Sequence, residues 1–255
     1  MAVLEQFSLE GRVALVTGSG RGIGRALARA LAEAGAAVAL NDRGSGEAEA
    51  YTAELAALGF NVANFDADVS ELKSVESMVD RAYRHFGQID VLVNNAGISI
   101  GRTALETTPE IFDTVLATNL RGVWNCSVTV ARRMQNQGGG NIVNVGSMSA
   151  WIVNRPRWQA PYLASKAAVH QLTRALAAEW AGYGIRVNAL APGYILTEAS
   201  PVDQPEYYEY CVEPAAMKRY GRPEELGPAT VFLASDASSF MTGSVVVIDG
   251  GYTLF

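Results

Sequence analysis

The sequence is poor in residues that bind metals or form disulfides. Its 255 residues include only two cysteines and two histidines. Cys126 and Cys211 show neither a disulfide framework nor metal-ligand spacing, and His85 and His170 are too far apart for a histidine-based metal site. We therefore predict that no metal is bound, and a reduced, cytoplasmic setting fits the cysteine content.

Excess positive charge and long apolar runs are also missing. The net charge is −6, and the basic residues are scattered without forming a stripe, so nucleic acid is not an expected partner. No apolar run approaches the ~18 residues of a transmembrane helix. The first residues, MAVLEQFSLEGR, lack the charged and apolar regions of a signal peptide. We therefore expect no membrane partner.

What the chain does contain is an alternation of short apolar strands with longer helical segments. This alternation predicts an α/β fold, a Rossmann-like doubly wound parallel sheet with helices on both faces. We expect a single domain over residues 1–255, with residues 194–217 as a substrate lid loop because that segment lacks clear apolar periodicity. Seven strands are predicted, at 12–17, 36–41, 61–65, 90–93, 141–145, 185–190 and 245–248.

A glycine-rich turn, TGSGRGIG at 17–24, follows the first strand and precedes a helix. Glycines let the backbone approach a pyrophosphate, and the helix N-terminus offers free N–H groups. The spacing is T-G-x-x-x-G-x-G and not G-x-G-x-x-G, and a tight strand-to-helix turn would also use glycine. We predict a dinucleotide cofactor that contacts Gly18, Ser19, Arg21, Gly22, Ile23 and Gly24.

The end of the second strand bears on the choice of cofactor. An acidic residue at the position of Asp42 accepts hydrogen bonds from the adenosine ribose and repels a 2′-phosphate. Arg21 and Arg43 could hold that phosphate instead. We predict NAD, with NADP less favoured, and we expect Asp68 and Val69 to lie at the adenine.

Small residues follow two further strands and are candidates for the cofactor site. Asn95, Ala96 and Gly97 follow the fourth strand, where they suit either a floor beneath the cofactor or a turn that satisfies its own backbone. Pro192 and Gly193 follow the sixth strand. Because ligands of open α/β sheets bind beyond the carboxyl ends of the strands, both segments are placed at the expected site.

The pair Tyr162-x-x-x-Lys166 indicates a proton-transfer centre. Residues four apart share one face of a helix, and a neighbouring cation lowers the pKa of a phenol. Such a tyrosine can exchange protons near neutral pH. Ser147 follows the fifth strand and is expected near this pair. The spacing alone is weak, because four-residue spacings also arise by chance.

Together these motifs resemble the short-chain dehydrogenase/reductase family, from about residue 8 to the C-terminus. The resemblance rests on six features in order: TGSGRGIG (17–24), NNAG (94–97), Asn119, Ser147, Tyr162-x-x-x-Lys166 and Pro192-Gly193. Over residues 147–194 the sequence is similar in particular to bacterial sugar-alcohol dehydrogenases of the galactitol type.

The resemblance implies roles for individual residues. Tyr162 would be the general acid/base, Ser147 would hydrogen-bond the reacting oxygen, and Lys166 would lower the pKa of the tyrosine and bind the nicotinamide ribose. The carbonyl of Asn119 would hold a relay water. Ile195 and Thr197 would join the cofactor contacts, Thr197 at the nicotinamide carboxamide. The family also implies a homotetramer.

The predicted reaction is the NAD-dependent, reversible oxidation of a secondary hydroxyl of a polyol or sugar to a ketone. Ser149, Asn154 and Trp158 are predicted substrate contacts, because the segment between Ser147 and Tyr162 is two residues longer than in many family members. The alternative is an NADPH-dependent reductase of carbonyl compounds such as 3-oxoacyl thioesters. A more remote alternative is a non-catalytic dinucleotide-binding protein, since function resides in the site and not in the fold.

Overall fold

The computed structural model describes residues 2–255, in which seven parallel strands form one sheet. The strand order is β3-β2-β1-β4-β5-β6-β7, so the chain winds outward from the centre in both directions. The predicted doubly wound seven-stranded sheet is confirmed. The strands are β1 (Val13–Thr17), β2 (Ala37–Asn41), β3 (Val62–Asn64), β4 (Val91–Asn94), β5 (Gly140–Val145), β6 (Ile185–Pro192) and β7 (Val245–Ile248).

Helices cover both faces of the sheet, and glycines end several of them. Gly87 and Gly138 follow helices in the left-handed conformation that glycine adopts without steric cost. The helices are α1 (Gly22–Glu33), α2 (Glu47–Ala57), α3 (Leu72–Phe86), α4 (Pro109–Leu116), α5 (Gly122–Gln137), α6 (Ala160–Trp180), α7 (Pro205–Tyr207) and α8 (Gly227–Ala234).

The two faces of the sheet carry separate apolar cores. Side chains alternate along each strand, so neighbouring residues of β1 belong to opposite cores. Val16 packs with α1 and α8 residues such as Leu27 and Leu233. Leu15 packs with α3 and α5 residues such as Met78 and Val130. Burial on both faces explains why the strands read as continuous apolar runs.

Two segments contain irregular helical turns. A π turn, Ala117–Arg121, joins α4 to α5. The expected lid loop over 194–217 contains α7, which continues as a second π turn, Tyr208–Val212. Cys211 and Val212 are buried with Val202 in a small separate core, so this segment has ordered packing without long apolar periodicity.

Candidate active site

A cavity of about 520 Å³ lies at the carboxyl ends of the central strands. Its walls come from the turns after β1, β2, β4, β5 and β6, which meet at one edge because the strands are parallel. One end is lined by Asp42 and the glycine-rich turn, and the other by Asn154 and Tyr194. The cavity therefore connects the predicted cofactor and substrate regions.

The glycine-rich turn has the shape that a dinucleotide requires. Gly18 has a φ of +61°, and a Cβ there would lie 2.9 Å from the Cα of Ala96. A Cβ on Gly24 would lie 2.1 Å from the carbonyl oxygen of Gly18. No side chain caps the N-terminus of α1 at Arg21, so its N–H groups face the cavity without a side-chain acceptor. The residues present therefore fit a pyrophosphate group.

The end of the cavity at Asp42, which is predicted to hold the adenosine and is called the adenosine end below, carries charges of both signs. The Asp42 carboxylate accepts hydrogen bonds from the backbone N–H groups of Gly44 (2.6 Å) and Ala48 (2.9 Å) and from the Ser45 hydroxyl (2.6 Å). Burial raises the pKa of Asp42, but these hydrogen bonds outweigh it and hold the pKa below its usual value. Asp42 is therefore a fixed negative charge at the cavity wall.

Two arginines near Asp42 are each paired with a carboxylate. The guanidinium of Arg21 lies 3.7 Å from the Glu47 carboxylate, and that of Arg43 lies 3.9 Å from Asp68. Arg21, Arg43 and Glu47 line the cavity together with Asp42. Each of the two arginines therefore has an acidic neighbour at this end of the cavity.

Two predicted cofactor contacts do not reach the cavity. Ser19 is fully buried, and its hydroxyl bonds the backbone of Asn41, which fixes the glycine turn to β2. Asp68 turns its carboxylate to Ser70, whose N–H and hydroxyl it accepts at 2.9 and 2.7 Å. Local hydrogen bonds thus use both side chains, while Val69 beside Asp68 does line the cavity.

The turn after β4 is held by Thr17, a residue that the prediction did not single out. Its hydroxyl accepts the N–H groups of Asn95 and Ala96, both at 3.1 Å. The Asn95 amide in turn donates to the carbonyl oxygens of Thr17 and Gly18. Asn95, Ala96 and Gly97 line the cavity, as do four other predicted contacts, Pro192, Gly193, Ile195 and Thr197.

Ser147, Tyr162 and Lys166 all line the same part of the cavity. Ser147 follows β5, and Tyr162 and Lys166 lie in the first turns of α6. The Lys166 ammonium donates to the carbonyl oxygen of Val145 at 2.7 Å and lies 5.6 Å from the centre of the Tyr162 ring. The structure therefore brings the three predicted catalytic residues together.

The pKa of Tyr162 differs from the prediction. Burial raises it above its ordinary value, and the hydrogen bond with Ser147 only partly opposes that rise. Burial also lowers the pKa of Lys166 to about 8. Desolvation therefore dominates the pKa of the phenol, and the ammonium of Lys166 is bonded to the carbonyl oxygen of Val145. Tyr162 is therefore protonated at neutral pH and is suited to donate a proton.

Asn119 lies at the centre of the π turn and is fully buried. Its side chain exchanges two hydrogen bonds with the backbone of Ile98 (2.8 and 2.9 Å) and donates to the Ser165 hydroxyl at 3.1 Å. Ser165 donates to the carbonyl oxygen of Tyr162 at 2.7 Å. Asn119 therefore connects the turn after β4 with the helix of Tyr162, and its side chain lies outside the cavity lining.

The predicted substrate contacts divide into two groups. Ser149 and Asn154 are buried and line the cavity. The Asn154 amide donates to the Tyr194 hydroxyl at 2.9 Å, and its Oδ1 is buried without a partner among the described residues. Trp158 is outside the cavity lining and half-exposed, and its carbonyl oxygen accepts the backbone N–H of Arg102. Its expected substrate contact is not supported.

Sequence reasoning missed several residues of the substrate end. Arg155 and Arg157 line the cavity, as do Gln159 and Tyr194. His170, interpreted above only as too isolated for a metal site, lies directly behind Ser147. Only position in the chain could have indicated them, because Arg155, Arg157 and Gln159 fall in the long segment before Tyr162. Nothing in the sequence showed which of their side chains turn toward the cavity.

Comparisons with known proteins identify the class. Residues 18–253 match the family model described as enoyl-(acyl carrier protein) reductase. A crystal structure of a short-chain type dehydrogenase/reductase from Mycobacterium marinum is 42% identical, with a TM-score of 0.95 and 99% of each chain covered. The chain belongs to the short-chain dehydrogenase/reductase family, and the predicted NAD(P)-dependent enzyme acting on CH–OH groups is confirmed.

Two further relatives carry more specific names. The galactitol 2-dehydrogenase (L-tagatose-forming) of Cereibacter sphaeroides is 44% identical over 252 residues, with 98% of both chains covered. The crystal structure of a gluconate 5-dehydrogenase from Burkholderia cenocepacia, in complex with NADP and tartrate, is 40% identical with a TM-score of 0.95 and covers both chains fully. The names of these similar proteins thus refer to a sugar alcohol and to a sugar acid.

Proposed function

We propose that this single-domain protein oxidises a secondary hydroxyl of a polyol or sugar to a ketone, with NAD as the hydride acceptor. The observation that carries the proposal is that one cavity has the glycine turn and Asp42 at one end and Ser147, Tyr162 and Lys166 further along it. When bound, the nicotinamide takes the hydride, and the protein supplies position and proton handling.

In this proposal Tyr162 exchanges the proton of the reacting hydroxyl, and Ser147 holds that oxygen. Oxidation requires the phenolate, whose formation burial opposes. Positive charge stabilises a phenolate, and Lys166 and an oxidised nicotinamide both supply it. The phenol, which is the form that burial favours, serves the reverse reaction. Asn119 holds the helix of Tyr162 in place, and its carbonyl is the proposed site of a relay water.

NAD is proposed over NADP because Asp42 presents a fixed negative charge where a 2′-phosphate would lie. The NADPH-dependent reductase of 3-oxoacyl thioesters would need Arg21 and Arg43 free to bind that phosphate, and both are paired with carboxylates. A non-catalytic dinucleotide-binding protein would have no need for Ser147, Tyr162 and Lys166 to line one cavity.

We also propose that the protein is a homotetramer and that it is located in the cytoplasm. The exposed apolar residues of the C-terminal segment, Leu254 and Phe255, suit a subunit contact in a homotetramer. The two cysteines are free and buried, which suits a reducing cytoplasm. In residues 2–255 no helix is both long and apolar enough to cross a membrane.

The test is a panel of polyols, sugars and sugar acids with NAD, following the reduced cofactor by absorbance. Tyr162→Phe should abolish turnover and leave the Kd of NAD unchanged, and the matched variant Tyr183→Phe, at an exposed position outside the cavity, should retain full activity. Appreciable turnover by Tyr162→Phe would refute the role of the phenol. A flat response across the panel would refute the substrate class.

A further inference from the structure

The substrate end of the cavity carries positive charge without a balancing partner. Arg155 and Arg157 both line it, close to Asn154 in the segment before α6. In residues 2–255 no carboxylate oxygen lies within 4.0 Å of either guanidinium. The other charged residues there are Lys166 and Glu198, and Glu198 is exposed, as are both arginines. Basic groups therefore outnumber acidic groups where the substrate is expected.

The absence of a carboxylate partner is not a general property of the arginines that line the cavity. Arg21 and Arg43 also line it, and each is paired with a carboxylate, Glu47 and Asp68 respectively. Outside the cavity, Arg133 and Arg219 also have acidic partners, whereas Arg102 and Arg121 have none within 4.0 Å in the described part of the chain. An unpaired arginine in a ligand cavity suggests that the ligand supplies the negative charge.

Both side chains are positioned by contacts that leave donors available. Arg157 Nη1 donates to the carbonyl oxygen of Ala199 at 3.3 Å. Its stem packs so closely on Gly101 that a Cβ there would lie 3.0 Å from Nε. The Arg155 guanidinium lies 5.8 Å from the centre of the Tyr210 ring. An arginine has five N–H donors in a planar fork, so several remain free to bind an anion.

We propose that the physiological substrate carries an anionic group, a carboxylate or a phosphate, in addition to the hydroxyl that is oxidised. Arg155 and Arg157 bind that group, and Asn154 Oδ1 accepts a neighbouring hydroxyl. The anionic group takes no part in the chemistry. It fixes which carbon faces Tyr162. This inference rests on the proposed oxidation of a polyol or sugar and narrows its substrate class.

The experiment compares substrates that share a carbon skeleton and differ in one end group. Each neutral six-carbon polyol, such as glucitol or galactitol, is assayed beside its aldonate and its 6-phosphate. We expect kcat/KM for at least one anionic form to exceed that of its neutral parent about tenfold or more. That advantage should decrease at high salt, because salt screens exposed charges. The preferred anion, carboxylate or phosphate, identifies the group.

Variants assign the effect to the two arginines. Arg155→Gln and Arg157→Gln should raise KM for the anionic substrate about tenfold while changing kcat/KM for the neutral parent little. The control is Arg102→Gln, which removes the same charge from the neighbouring loop but not from the cavity lining. Thermal denaturation confirms that each variant is folded.

Two results would overturn the inference. One is a neutral polyol used as well as its aldonate and its phosphate. The other is an equal loss on neutral and anionic substrates in Arg155→Gln and Arg157→Gln. A different result, in which no member of the panel is oxidised although NAD binds, would contradict the proposed function itself.

Discussion

The imidazole of His170 accepts the backbone N–H of the catalytic candidate Ser147, with His170 Nε2 3.4 Å from the nitrogen. A Cβ on Gly146 would lie 2.2 Å from that Nε2, so only glycine allows the ring this close to the chain. The other side of the ring contacts Trp151, with the ring centres 4.7 Å apart. His170 therefore joins Ser147 to the segment before α6 that contains Trp151.

This contact predicts that His170 positions Ser147. His170→Leu removes the acceptor and should lower kcat about 10- to 100-fold with little change in the KM of NAD, since small displacements of catalytic groups are costly. His170→Gln can place an acceptor near the position of Nε2 and should restore most of the activity. Steady-state kinetics check both variants. Equal losses in the two would contradict a positioning role and indicate packing alone.

The same residue makes a prediction about pH and stability. Burial lowers the pKa of His170 to about 4, helped by the charges of Lys166 and Arg174. A histidine in the unfolded chain titrates near pH ~6.5. Between these values the unfolded state binds more protons, so the contribution of His170 to stability is full above pH ~6.5 and is lost as the pH falls toward 4.

The measurement is the melting temperature of wild type and His170→Gln at pH 7.5 and pH 4.5. The wild type should lose more stability on acidification than the variant does. His85→Gln is the matched control, because His85 is the other histidine of the sequence and is exposed. If the melting temperatures of wild type and His170→Gln change equally with pH, then His170 binds a proton as readily in the native state as in the unfolded chain.

Asp42→Asn should change the choice of cofactor. The substitution removes the negative charge at the end of β2, and we expect the ratio of kcat/KM with NADP to that with NAD to rise about tenfold. Asp66→Asn makes the same change at an exposed position outside the cavity and should leave the ratio unaltered. If Asp42→Asn also leaves it unaltered, another group sets the cofactor preference.

Asn154→Leu tests the buried acceptor at the substrate end. Oδ1 of Asn154 is buried and has no partner among the described residues. A substrate hydroxyl that donates to it would therefore satisfy an acceptor that is otherwise unpaired. The variant should raise the KM of the hydroxylated substrate about tenfold without altering the Kd of NAD. An unchanged KM would mean that Oδ1 does not meet the substrate.

Much of the architecture was accessible from the sequence because it depends on apolar pattern and glycine. Buried runs such as Val13–Thr17 predicted the strands, and the predicted sheet formed. The end of each strand then fixed where Ser147 and Gly97 would lie. These predictions succeed because parallel strands deliver their carboxyl ends to one edge whatever the loops do.

The directions in which individual side chains point were not accessible from the sequence. Ser19 and Asp68 lie in the turns after β1 and β3, near the cavity. Hydrogen bonds to neighbouring groups turn both side chains away from it. The spacing of Tyr162 and Lys166 predicted their common location but not the desolvation that raises the pKa of the phenol. Such outcomes depend on burial and on competing partners from distant segments, which spacing does not specify.

The π turn at Asn119 has a further consequence, which concerns the angular phase of the helix. An α-helix advances about 100° per residue, and a π turn accommodates roughly one extra residue. The part of the helix after Ala117–Arg121 is therefore rotated relative to the part before it. Asn119 can face the Ile98 turn while Cys126 and Met134 still face the sheet. The extra residue reconciles a polar contact at the site with an unbroken apolar core.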